Sequence, residues 1–179
     1  MALERGQPMI RSKPKTSTPP ARERAFRQLI RTFGLVERVM QPYFAQFGIS
    51  GAQWGVLRNL QRAESEGLRS LRLTDLSRRM LIRPPSVTGI VDRLEKMNLI
   101  VRQASTTDLR AKEVALTGAG RQLVEKVLTV HEGQIARVMN GLAREDQEEL
   151  YRLLSRLGEH LEGMAESRVY QPAARNEAS

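Results

Sequence analysis

The fold is decided by residues 73–103, which read LTDLSRRMLIRPPSVTGIVDRLEKMNLIVRQ. Apolar residues recur at helical spacing on both sides of the pair Pro84 and Pro85. Thr74 is expected to cap the first of these helices, and Pro84 starts the second without losing a backbone hydrogen bond. Two short helices joined by a tight turn predict a helix-turn-helix.

The segment that follows the second helix has the pattern of a β-hairpin. Two strand-like stretches cover Ile100–Ala104 and Lys112–Leu116, and the polar loop 105–111 joins them. A hairpin directly after a helix-turn-helix makes the winged form of that motif. The predicted fold class is therefore mainly α: a winged helix-turn-helix with a two-stranded wing and additional helices at both ends of the chain.

The distribution of charge favours a polyanionic partner. The 179 residues carry a formal net charge of +9. Residues 1–24 hold six basic and two acidic residues, residues 68–117 hold ten and five, and residues 142–179 hold five and eight. Because the positive excess lies on the N-terminal segment and on the helix-turn-helix, the expected partner is double-stranded DNA.

Several classes of protein do not fit the sequence. Cysteine is absent, which excludes disulfides and thiolate metal sites. No run of 18 apolar residues and no N-terminal apolar segment occur, so we expect a cytoplasmic protein without a membrane span or secretory signal. A glycine-rich phosphate loop, a metal-ligand cluster and a paired nucleophile and base are also missing. We therefore expect neither an enzyme nor a cofactor or metal site.

The second helix of the motif is predicted to be the recognition helix. Its apolar positions lie on one side, and its small polar positions near the N-terminus can enter the major groove. We also expect its N-terminus to receive a phosphate. The alternative is a plain helical hairpin with a solvated polar face. The residues predicted to contact DNA are Arg83, Pro85, Ser86, Thr88, Gly89 and Arg93.

The hairpin tip is predicted to make the second set of DNA contacts. Arg110 is expected to enter the minor groove, where negative potential is concentrated, and Asp108 to orient its guanidinium by a charge-assisted hydrogen bond. The alternative is an exposed ion pair between these two residues. The predicted wing contacts are Thr106, Thr107, Asp108, Arg110 and Lys112.

The terminal helices carry apolar faces that are too wide for one small lobe to cover. Burial of each large apolar side chain contributes roughly 1.5–3 kcal/mol, so several of them require a partner. A second copy of the chain is the simplest partner, and a closed intramolecular bundle is the alternative. The predicted dimer interface comprises Phe26, Leu29, Ile30, Leu150, Leu153, Leu157 and Leu161.

The sequence resembles the MarR family of bacterial regulators over roughly residues 25–165. The similarity rests on the order of elements, on the segments LTDLSRRM and VTGIVDRLEKMNLI, on Asp108-Leu109-Arg110 at the wing tip, and on ALTGAGRQL after it. The resemblance implies a dimer with interlocked terminal helices, in which each chain presents a recognition helix to one half of a palindrome. It also implies a small phenolic or anionic ligand, bound between the dimer helices and the DNA-binding lobe, that weakens DNA binding.

The recognition helix departs from the usual family pattern at three positions. Arg83 stands where a serine is usual, a second proline follows at Pro85, and Gly89 replaces a long polar residue. Arg83 is then expected to contact phosphate or a base, and readout of the half-site to depend on Ser86, Thr88 and the wing.

Five of the eight aromatic residues lie between positions 33 and 54, and four of them lie between positions 43 and 54, where the family places its ligand. Aromatic walls suit flat apolar ligands, although such clusters also form ordinary core. The two histidines, at positions 131 and 160, are interpreted as structural or solvated, because neither has a carboxylate or another histidine at metal-binding spacing. The predicted ligand pocket comprises Phe33, Tyr43, Phe44, Phe47 and Trp54.

The predicted organisation follows from these assignments. Residues 1–17 form a disordered basic arm, 18–48 an N-terminal dimerisation helix that begins at Thr18, 49–117 the DNA-binding lobe, 118–166 the C-terminal dimerisation helices, and 167–179 a flexible tail. The arm, with Arg5 to Arg24, adds phosphate neutralisation or serves only as a solubilising tail.

The expected function is that of a dimeric, sequence-specific transcriptional regulator. It is predicted to be a repressor that binds a pseudo-palindromic operator and is released by a small aromatic or anionic ligand. An architectural or non-specific DNA-binding protein without ligand control is the alternative, since it would use the same fold and charge.

Overall fold

The computed structural model describes residues 19–104 and 112–169, with side chains up to residue 165. The basic arm, the wing tip and the last ten residues lie outside this part. The elements, in chain order, are α1 (Ala21–Ala45), α2 (Gly51–Ser65), β1 (Leu71–Arg72), α3 (Leu73–Met80), α4 (Pro84–Lys96), β2 (Ile100–Ala104), β3 (Lys112–Leu116), α5 (Gly118–Met139) and α6 (Arg144–Val169). The helix-turn-helix and both wing strands lie where the sequence predicts them, which confirms the fold class.

Side-chain caps define the starts of α2 and α5. The Ser50 hydroxyl accepts a hydrogen bond from the Gln53 N–H at 3.2 Å, and the Gln53 side chain accepts one from the Ser50 N–H at 2.8 Å. This reciprocal pair is the predicted capping box. Thr117 caps α5 by accepting from the Gly120 N–H at 3.0 Å. Both helices therefore begin at the predicted residues.

The start of α1 differs from the prediction. The predicted first residue, Thr18, lies outside the described residues, and the helix begins at Ala21 with Pro20 at the cap position. Pro20 has an extended backbone, with ψ at 151°. A residue that precedes proline is also pushed out of the helical region, which applies to Pro19. The two prolines therefore precede the helix instead of forming its first turn.

The sheet contains a third strand that the sequence analysis missed. Its antiparallel order is β1-β3-β2, with Leu71 of β1 opposite Val114 of β3. A two-residue strand is too short to give an alternating pattern. The strand also displaces the predicted cap of α3, because the extended Arg72 takes the cap position and Thr74 falls inside the first turn.

The hydrophobic core lies between α2, α3, α4, the sheet and the first half of α5. The end of α1 adds Tyr43 and Phe44 to it. Alternate residues of β3 and one side of α4 point into this core, as the two periodicities require. The core side chains that are entirely inaccessible to solvent are Val56, Leu57, Leu76, Val87, Val91, Leu94, Val114 and Val127.

The two longest helices keep much of their apolar surface exposed. Phe26 of α1 is 64% exposed and Leu161 of α6 is 52% exposed. No α6 side chain between residues 144 and 165 is buried, although this segment holds five leucines. None of the described helices has the length and hydropathy needed to span a membrane. Exposed apolar faces of this extent are typical of protein interfaces.

Leu81 occupies the turn between α3 and α4 in the left-handed conformation, with φ at 54°, and is 84% exposed. This conformation costs a residue with a side chain roughly 1–2 kcal/mol, and the exposed leucine gains little from burial. We expect Leu81→Gly to raise the free energy of unfolding by about 1 kcal/mol, measured by urea denaturation. Asn98→Gly is the matched control: Asn98 has φ at 57°, but asparagine tolerates this region, so its effect is expected to be much smaller. A Leu81→Gly variant that is less stable than wild type would contradict the conformational strain assigned to Leu81.

Candidate nucleic-acid interface

The predicted DNA contacts of α4 lie on its outward side. Val87, Ile90, Val91 and Leu94 are buried and hold the helix on the lobe. The opposite side carries all six predicted contact residues. Five are exposed and one is half-buried: Arg83, Pro85, Ser86, Thr88 and Arg93 in the first group, and Gly89 in the second.

The backbone at the start of α4 does not offer the predicted phosphate site. Pro84 and Pro85 have no N–H, and the N–H groups of Ser86 and Val87 both donate to the Arg83 carbonyl, at 3.0 and 3.3 Å. A helix N-terminus binds anions through free N–H groups, and this one presents none in its first turn. The expectation was therefore wrong, and any phosphate here must be held by side chains, such as that of Arg83.

Two hydroxyl groups on the exposed side of α4 differ in what they can donate. Thr88 donates its hydroxyl proton to the Pro84 carbonyl at 3.1 Å, so it offers a base edge an acceptor and a methyl group. Ser86 makes no side-chain hydrogen bond within the described residues and can donate or accept. Gly89 has open space where a Cβ would lie, so packing does not require a glycine at this position.

The wing strands place Lys112 at the end of the hairpin nearest the tip. It is exposed and lies opposite Ala104 in the antiparallel register. The other predicted wing contacts, Thr106, Thr107, Asp108 and Arg110, lie outside the described residues and remain predictions.

A cluster that the sequence analysis missed joins α4 to β2. Arg102 donates through Nη2 to Asp92 and through Nη1 to Glu95, and we call these three residues the Arg102 clamp. Its hydrogen bond with Asp92 is the main reason that the pKa of Arg102 lies above its usual value. A signal was present in the sequence: Arg102 shares a strand face with the buried Ile100, so its charge needs a partner.

Four of the five residues of the predicted ligand pocket come together where α1 meets α2. The Tyr43 ring lies 5.0 Å from that of Phe44 and 5.5 Å from that of Phe47, and Phe44 lies 5.9 Å from Trp54. Phe33 is exposed further up α1 and makes no ring contact within the described residues. These four aromatic residues pack mainly against one another, as core side chains do.

His131 of α5 completes this cluster, which we call the aromatic junction. Its ring stacks on Tyr43 at 5.7 Å and meets Trp54 edge-on at 5.2 Å. The Tyr43 hydroxyl donates to the Val127 carbonyl at 3.3 Å, so Nδ1–H of His131, 3.2 Å away, is the donor to Tyr43. The structural interpretation of this histidine is thus correct. Because it follows the buried Val127 by four residues on a helix, the sequence indicates that it faces the core, but it does not identify Tyr43 as its partner.

Stability is expected to fall in acid because of His131. Burial, and then the charge of Arg58, hold the pKa of His131 below its usual value of 6.5. The folded protein therefore binds this proton less tightly than the unfolded chain, and the free energy of unfolding decreases as pH falls through 6.5. His131→Asn keeps a donor near the Nδ1 position and removes the titration. We expect it to lose less stability than wild type between about pH 7.5 and pH 5, measured by urea unfolding.

The exposed His160 of α6 supplies the control for this experiment. His160→Asn makes the same substitution at a histidine outside the aromatic junction and measures the effect of the substitution itself. Equal loss of stability on acidification in wild type and His131→Asn contradicts the role assigned to His131.

The fold and the exposed side of α4 define the class of this protein as a winged helix-turn-helix DNA-binding protein. A sequence model of the MarR family matches residues 47–111. The HTH-type transcriptional repressor MdtR of Bacillus subtilis (strain 168) is 31% identical over 130 residues, covering 73% of this chain and 81% of MdtR. The chain therefore belongs to the MarR family of transcriptional regulators.

Solved structures agree with this assignment. AbsC, a MarR family transcriptional regulator from Streptomyces coelicolor, superposes with a TM-score of 0.72 at 26% identity, covering 83% of this chain and 99% of AbsC. BpsR of Bordetella bronchiseptica superposes with a TM-score of 0.67 at 23% identity, covering 75% of this chain and 98% of BpsR, and supports the fold alone.

Proposed function

We propose that this protein is a homodimeric repressor that binds a pseudo-palindromic operator through α4 and the wing of each chain. The observation that carries the proposal is the exposed, small and polar side of α4, held beside a two-stranded hairpin. A helix with this surface fits the major groove, and the hairpin next to it can reach the neighbouring minor groove. The repressor role is supported by the name of the relative MdtR.

The contacts divide into base readout and phosphate binding. Ser86 and Thr88 lie one turn from the start of α4 and are small enough to approach base edges. Arg83 and Arg93 are exposed cations at the two ends of this surface and supply phosphate or guanine contacts. The predicted tip residue Arg110 adds the minor-groove contact of the wing.

The terminal helices supply the dimer interface. The exposed apolar side chains of α1 and α6 require a cover, and the lobe of the same chain leaves them open. A two-fold dimer buries the same patch on both copies and sets two recognition helices side by side. All seven predicted interface residues are exposed or half-buried in the single chain: Phe26, Leu29, Ile30, Leu150, Leu153, Leu157 and Leu161.

A small aromatic or anionic effector is the proposed means of release. The aromatic junction joins the helices of the dimer region to the lobe, so a ligand that separates its rings would move one against the other. The BpsR structure concerns regulation of that protein's DNA binding by 6-hydroxynicotinic acid. Titration of a panel of aromatic acids into the protein–DNA complex tests the idea, and an unchanged operator affinity across the panel counts against it.

Selection of bound duplexes from a random pool tests the main proposal. The purified full chain is expected to enrich one sequence with two inverted half-sites whose centres are about 10 base pairs apart. Footprinting on the enriched duplex should protect both half-sites. Uniform protection of any DNA, without enrichment, would instead identify an architectural DNA-binding protein.

A further inference from the structure

We propose that Arg102 is a positioning residue for DNA recognition: it fixes the wing relative to the recognition helix, so that both reach their grooves together. The inference rests on the function proposed above. Arg102 directs its guanidinium to two carboxylates of α4, and the proposal gives the Arg102 clamp a role in DNA recognition.

In the clamp, one guanidinium bridges two carboxylates. Each arm of the Arg102 guanidinium is bonded to a different carboxylate, Asp92 and Glu95, which lie one turn apart on α4. The Arg102 side chain is only 21% exposed. A planar guanidinium that binds two carboxylates has little rotational freedom, so β2 and α4 are held in one relative orientation.

The clamp lies between the two DNA-binding surfaces. Asp92 is one turn beyond Thr88, on the same helix as the base-reading residues. Arg102 is three residues before the wing tip at 105–111, which corresponds to about 10 Å of extended chain. A rotation of β2 at Arg102 would therefore shift Ala104, the last residue of β2 before the predicted tip.

The sheet alone does not fix this orientation. β2 is an edge strand whose sheet neighbour is β3, in the order β1-β3-β2. Ile100 is buried and anchors the start of β2. Among the described residues, the hydrogen bonds between β2 and α4 are the two from the Arg102 guanidinium and one from the Arg102 backbone N–H to the Glu95 carboxylate at 3.4 Å. A recognition site works only when its supporting residues hold it within a fraction of an ångström. The part of β2 nearest the tip depends on the clamp for that support.

Arg102 also offsets one of the two negative charges that Asp92 and Glu95 place on the DNA-reading helix. Without it, Asp92 and Glu95 would repel DNA phosphates, and loss of affinity alone would not separate positioning from charge. Two variants make the separation. Arg102→Lys keeps the charge but has a single ammonium that cannot bridge both carboxylates in the same way. The triple variant Arg102→Ala, Asp92→Asn, Glu95→Gln removes the clamp together with the repulsion.

Arg121→Lys is the matched control. Arg121 donates to Glu64 through Nε and Nη2 at 3.1 and 2.7 Å and so links α5 to α2, away from the helix–wing contact. It is an arginine paired with a carboxylate on another element, as Arg102 is. Its replacement should leave operator selectivity unchanged.

The experiment measures the affinities of the full chain for the selected operator and for a random duplex at several salt concentrations. For Arg102→Lys and for the triple variant we expect operator affinity to fall about tenfold or more and random-duplex affinity to change less than about threefold, with the salt slope close to that of wild type, because base readout is lost and phosphate contacts are kept. Thermal unfolding confirms that each variant is folded.

Three results would overturn the inference. In the first, operator and random-duplex affinities fall in parallel in Arg102→Lys. In the second, a folded Arg102→Lys variant keeps wild-type selectivity. In the third, the triple variant regains wild-type selectivity, which would reduce Arg102 to a neutralising charge. Failure of the wild-type protein itself to prefer any duplex is a separate outcome, and it would refute the proposed function.

Discussion

Replacement of Gly120 by alanine is expected to lower the free energy of unfolding by about 3 kcal/mol or more, because the new methyl group has no space. A Cβ at this position would lie 2.0 Å from the carbonyl oxygen of Leu99. That oxygen already accepts a hydrogen bond from the Thr117 N–H at 3.1 Å. The clash can be relieved only by moving α5 away from the segment that joins α4 to β2.

Thermal and urea unfolding measure this effect at a fixed protein concentration. The melting temperature should fall by roughly 6–12 °C. Gly118→Ala is the matched control, since Gly118 lies in the same first turn of α5 and has nothing within 4 Å of its ideal Cβ position. It should be neutral or slightly stabilising, because alanine favours helix. Equal stability of the two variants would contradict the close approach at Gly120.

The double substitution Leu153→Lys with Leu157→Lys is expected to convert the proposed dimer into monomers. Both leucines are exposed on α6 of the single chain and lie on the seam that the proposed dimer buries. In a two-fold interface each lysine occurs twice, so four charges would be buried without partners. Burial of each unpaired charge costs several kcal/mol, and the sum exceeds the free energy of association of a dimer that forms at micromolar concentration.

Analytical ultracentrifugation gives the mass of this variant, and circular dichroism verifies its helices. Ser155→Lys with Glu159→Lys is the matched control, because these residues have the same spacing on the opposite side of α6. The control should remain dimeric and bind the operator as wild type does. A seam variant with the mass of a dimer would refute the proposed interface, whereas a monomeric wild-type protein would refute the dimer itself.

The lobe could be predicted from the sequence because its signals are local. The prolines at 84 and 85 mark the start of α4, and the apolar spacing that follows defines its buried side. Alternation and a polar loop gave the bounds of β2 and β3 without error. Each of these features depends on neighbours in the chain, so periodicity and turn chemistry are enough to find them.

The missed features depend on residues that are distant in sequence or on backbone detail. The Arg102 clamp joins residues seven and ten positions apart across two elements. His131 meets Tyr43, 88 positions away. The strand β1 exists only because β3 pairs with it. Local patterns cannot specify such pairings, because each depends on how separate elements pack.

The lack of free N–H groups in the first turn of α4 was missed for a different reason. The rule that helix starts attract anions was applied without counting the N–H groups that two consecutive prolines remove. Both prolines, at residues 84 and 85, are evident in the sequence and already argue against an anion site on the backbone. Any anion bound at this helix would consequently require the flanking arginine side chains instead of the backbone.

The aromatic junction gives the protein an internal optical reporter. Trp54 is the single tryptophan of the chain, and its indole touches the imidazole of α5. Its emission therefore reads out the contact between two elements without any added dye. Because the chain has no cysteine, one thiol introduced at a chosen surface position would accept a second fluorophore uniquely. Energy transfer between the two would follow the distance from the junction to that position as DNA is bound and released.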